Sequence, residues 1–209
     1  MVATIGSPIV NGRGLKKILA GPAGVHLFAT TVSSATFGYL IASLGKLLHV
    51  LEPSDGSRTA FAALSIGLLC SMYALRELGI LRIPLPQFRR QVPRQWFGRF
   101  PHRVTALYWG IGLGVGIGTM IASSAFLILL IWVFAFGSPV RALIVMALFG
   151  FTRGLPPIIG AWRLNWQKPL EFARRVGALR PLVGHLNGLI LATTGSILTY
   201  LSIRSFYLA

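Results

Sequence analysis

The chain has 209 residues, of which 54% are hydrophobic and 11% charged, and a mean hydropathy of +0.71. Soluble domains carry roughly 25% charged residues, so the composition argues against an ordinary soluble enzyme and makes the bilayer the expected solvent. Lys and Arg outnumber Asp and Glu by 20 to 4, a net charge of +16; with no aromatic platform or recognition motif beside it, this charge points away from nucleic acid and towards anionic lipid.

The opening stretch, MVATIGSPIVNGRGLKK, is too polar and too rich in Gly and Pro for a signal-peptide apolar region, so no cleavage is expected. Residues 1–23 read as a cytoplasmic arm and 24–209 as a single transmembrane domain. Five stretches supply the about 20 apolar residues that a membrane helix needs: Val25 to Val50, Thr59 to Ile80, Val104 to Phe136, Pro139 to Ala161 and Leu186 to Tyr207. The third would be about 50 Å long as one helix, against a hydrocarbon core of about 30 Å. It must tilt, project or break. The expected fold is therefore an all-α, polytopic helical bundle with five spans, or six if the third divides.

Basic residues alternate between the connections as the positive-inside rule requires. Arg13, Lys16 and Lys17 precede the first span, Arg82, Arg89, Arg90, Arg94, Arg99 and Arg103 follow the second, and Arg163, Lys168, Arg174, Arg175 and Arg180 follow the fourth. The other side holds only Lys46, Arg58, Arg141 and Arg204. This places the protein in the cell membrane with its amino terminus cytoplasmic and its carboxyl terminus outside. Both long cytoplasmic connections mix arginines with apolar residues, as expected of interfacial segments, and Arg89, Arg90, Arg94, Arg99, Arg174 and Arg175 are the expected contacts to anionic lipid.

The third span contains WGIGLGVGIGTM, with Gly110, Gly112, Gly114, Gly116 and Gly118 at every second position. It lacks the GxGxxG order, a preceding strand and the lysine of a phosphate loop, which excludes nucleotide binding. On a helix, Gly110, Gly114 and Gly118 share one face and Gly112 and Gly116 another, so neighbouring helices can approach closely. The alternative is a break lining a solute site, with Thr119 beside it. Packing is the favoured reading.

In the fourth span, FTRGLPPIIG places Arg153 inside an apolar run just before Pro156 and Pro157. Two prolines remove two backbone donors, so the helix is expected to kink or end near Gly154. Arg153 either snorkels to the cytoplasmic face or presents its charge to an anion at the break. Glu77 is the one acidic residue inside a span, and its expected partner is Arg153, since adjacent Arg76 should point elsewhere around the helix.

His26, His102, His185 and His49 fall near span ends, not at the matched depth of a haem pair, and the lone Cys70 permits neither a disulfide nor a thiolate zinc site within the chain. With no hydrolytic constellation, no catalytic, metal or cofactor residues are assigned and the protein is not expected to be an enzyme. An offset of 83 pairs Thr36 with Thr119, Arg58 with Arg141 and Gly67 with Gly150, which suggests two related hairpins, 25–80 and 104–161, before the last span at 186–207.

TVSSATFGYLIASLG, GLGVGIGTMIASSAFLILL and FGFTRGLPPIIG together resemble the broken helices of the thiol-transporter family of CcdA and the membrane part of DsbD. That resemblance implies a carrier scaffold. The positions of the family's membrane cysteines hold Thr36 and Thr119, so its dithiol chemistry does not carry over. The leading expectation is a carrier for a small solute, an anion if Arg153 is the recognising group, moving past Gly114, Thr119, Arg153 and the Pro156-Pro157 pair. The alternative is a non-catalytic subunit or assembly factor that binds other membrane protein subunits and lipid.

Overall fold

The computed structural model describes residues 21–48, 56–84, 100–116, 124–163 and 177–208. Its helices are α1 (Pro22–Leu47), α2 (Gly56–Glu77), α3 (His102–Val115), α4 (Ser124–Phe136), α5 (Pro139–Arg163) and α6 (Arg180–Leu208), with no strand among the described residues. Four of these, α1, α2, α5 and α6, contain a stretch long and apolar enough to cross a membrane, and the protein is a helical membrane bundle. Proline opens two of them, Pro22 in α1 and Pro139 in α5, at the helical position where a missing N–H costs nothing.

The overlong third span is two helices. α3 ends at Val115, and Gly116 follows in the left-handed conformation with φ 77° and ψ 0°, donating its N–H to the Gly112 carbonyl at 3.1 Å. That geometry favours glycine and satisfies one of the carbonyls a helix end leaves open. At 1.5 Å per residue α3 and α4 are each about 20 Å long, too short to cross alone. In α5 the helix is expected to kink or end near Gly154, and it does not end there. The helix runs through Pro156 and Pro157 to Arg163, because proline's fixed φ is helical and packing against a neighbour can hold a turn that has lost backbone bonds.

Large apolar side chains face outward, as a lipid solvent demands: Phe28, Phe61, Val140, Leu148, Ile190 and Tyr207 are all exposed. Small residues take a large share of the interior, among them Ala29, Ala42, Ala60, Ala74, Ala106 and Ala142, beside larger ones such as Ile66, Phe126 and Met146. Lipid tails are as apolar as leucine, so burying leucine gains little here, and close backbone packing has to supply the cohesion.

The described helices fall into two compact units. The first contains the amino-terminal part of α1 with α3 and nearly all of α5; the second contains the end of α1 with α2, α4 and α6. In the second unit α2 and α6 run antiparallel: Gly67 meets Thr199 and Gly195, and Gly188 meets Ala74 and Leu78. Cys70 is fully buried there among Ile66, Tyr73, Ala74, Ile128 and Leu191, in keeping with a packing role.

Candidate functional site

The first unit is organised around one face of α1. His26, Thr30, Ser34 and Gly38 recur every four residues, so they form a single stripe along the helix. His26, Thr30 and Ser34 are essentially fully buried. Each hydroxyl or ring finds a backbone oxygen: His26 Nδ1 lies 3.4 Å from the Ala106 carbonyl, Thr30 Oγ1 donates to the His26 carbonyl at 2.7 Å, and Ser34 Oγ donates to the Gly114 carbonyl at 2.8 Å. Ser33 Oγ adds a bond to the Thr30 carbonyl at 3.3 Å and a longer one to the Gly110 carbonyl at 3.5 Å.

The pairings His26 with Ala106 and Ser34 with Gly114 keep a constant offset, so α1 and α3 run parallel. The contact depends on the glycines. A methyl group added at Gly110 would lie 2.6 Å from Ala29 Cβ and 2.8 Å from the His26 carbonyl. At Gly114 it would strike Ser33 Oγ and lie 2.6 Å from the Thr30 carbonyl. α5 closes on the same stripe in the antiparallel sense: Gly150 faces Ser34 and the Thr30 carbonyl, Gly154 faces Leu27 and Thr30, and Gly38 faces Met146 and Ala142. Three helices thus approach closely around Thr30, with Gly110, Gly114, Gly150 and Gly154 against α1 backbone and its small side chains.

This seam answers the question raised by the glycine run. Gly110 and Gly114 pack, Gly116 ends the helix, and Gly118 and Thr119 lie outside the described residues. Thr36 is exposed on the other side of α1. His26, read from the sequence as lying near a span end, is buried in the seam. The sequence reading overlooked Thr30 and Ser34, although their four-residue spacing matched that of Gly110 and Gly114. Ser34→Ala removes only the bond to Gly114; an interhelical hydroxyl bond in membranes contributes about 0.6–1.7 kcal/mol, so thermal unfolding in detergent should show a loss within that range.

Arg153 lies in α5 of the first unit, half-buried, with its guanidinium carbon 5.8 Å from the centre of the Phe149 ring. Pro156 is exposed and Pro157 buried. Glu77 belongs to the second unit, and its carboxylate is engaged by residues other than Arg153. Glu77 Oε1 accepts from Arg76 Nη1 at 2.9 Å, from Ser124 Oγ at 2.6 Å and from the Ser124 backbone N–H at 3.1 Å. The expectation that Arg76 and Glu77 diverge is corrected: their Cβ atoms leave the helix in different directions, but the long Arg76 side chain brings Nη1 back to the neighbouring carboxylate. Its negative charge sits on the first turn of α4, where free N–H groups and the helix dipole favour an anion. Arg89, Arg90, Arg94, Arg99, Arg174 and Arg175 lie outside the described residues. Among the described residues no group of three or more His, Cys, Asp or Glu side chains could hold a metal ion.

Over 153 residues the chain is 32% identical to the methylamine utilization protein MauF of Paracoccus denitrificans, a match covering 72% of this chain and 53% of that protein. The proteins of the same name from Methylophilus methylotrophus and Paracoccus versutus are 26% and 29% identical, over 68% and 69% of this chain and 52% of each relative. The chain spans about half the length of the curated relatives it matches. No family model and no solved structure matches it. These relatives overturn the likeness to the CcdA and DsbD thiol transporters, which rested on glycine and proline interruptions common to many membrane helices.

Proposed function

We propose that this chain is a non-catalytic membrane subunit or assembly factor that serves a methylamine-utilization system, the process for which its relatives are named. The observation that carries the reading is the similarity to MauF proteins across most of the chain. The geometry of the seam agrees with it. Where Gly114 meets α1, the backbones approach too closely for a methyl group, which leaves a solute no passage at the point where a carrier would need one. Hydroxyls that bond to backbone oxygens are spent on helix cohesion, whereas a carrier keeps such groups for its substrate.

In this reading the arginine-rich connection after α2 and the one after α5 lie on the cytoplasmic surface and hold anionic lipid, with the amino terminus on the same side. Other membrane subunits are the protein partners. The test is genetic. In a host that grows on methylamine as its nitrogen source, deletion of the gene should abolish that growth and leave growth on ammonium unchanged, with recovery when the wild-type gene is returned. Unimpaired growth of the deletion strain on methylamine would reject the proposal.

A further inference from the structure

We draw no further inference here: the strongest candidate, the exposed apolar face of α6 formed by Leu186, Leu189, Ile190 and Ile197, beside which the buried Asn187 Nδ2 has no hydrogen-bond partner among the described residues, carries nothing because nothing in the structure shows what covers it.

Discussion

Gly114→Val is expected to lower the midpoint of thermal unfolding in detergent by about 4–12 °C, from an overpacking cost of about 2–3 kcal/mol in a chain of this size. The branched side chain has to displace α1, because what stands in its way is main chain. A Cβ at residue 114 would lie 2.6 Å from the Thr30 carbonyl and 3.0 Å from the Ser34 nitrogen as well as against Ser33 Oγ. A flexible side-chain tip could move aside; a helix backbone pinned on its far side by Gly150 and Gly154 cannot. Gly56→Ala is the matched control. Gly56 is exposed with nothing within 4 Å of an added Cβ, and a substitution of that kind changes stability by no more than about 0.5 kcal/mol. Fluorescence-detected size exclusion after a temperature ramp measures both. Equal midpoints for the two variants would contradict the seam as the cohesive element of the first unit.

Glu77→Ala should cost a further-reaching loss in the second unit. Removing one partner of a buried ion pair costs about 3–5 kcal/mol, and the figure here is set nearer about 2 kcal/mol because Arg76 keeps partial contact with solvent. The substitution leaves the Arg76 cation beside the positive end of α4, where it is repelled, and frees the Ser124 N–H and hydroxyl that the carboxylate had satisfied. Replacing both members, Arg76→Gln with Glu77→Ala, should recover part of the loss, since the stranded charge goes with its partner. A double variant no more stable than Glu77→Ala would show that the cost lies in the α4 cap and not in the pair.

Much of this architecture was legible in residue order. The limits of α1 and α2 fall within three residues of the apolar runs that announced them, because span length is fixed by bilayer thickness and not by tertiary detail. Division of the third span, beside tilting or projecting, followed from its length as one way to fit the bilayer. Its location did not, since five alternating glycines offer equivalent sites for a left-handed cap and only the fold selects Gly116. The seam was half visible: the spacing of Gly110 and Gly114 announced a packing face, but nothing local says that its partner is the His26, Thr30 and Ser34 stripe some 80 residues earlier. The end of α2 misled for a different reason. Helical periodicity separates the Cβ atoms of Arg76 and Glu77, but it does not limit where a long arginine side chain places its guanidinium. In α5, Pro156 and Pro157 read as a kink or a terminus, and the helix does not end there but runs on to Arg163, with Gly154 packed on α1.

In the seam, hydroxyl groups of α1 bond to backbone oxygens of the chain's own helices, and the proposed role is association with other proteins. The measurement that bears on this most directly is purification from methylamine-grown cells in a gentle detergent, followed by mass spectrometry of whatever remains bound. The account expects a second membrane protein in fixed stoichiometry with the chain, lost on growth without methylamine. A chain that purifies alone and, when reconstituted into vesicles, moves labelled methylamine or a small anion down its gradient would contradict it.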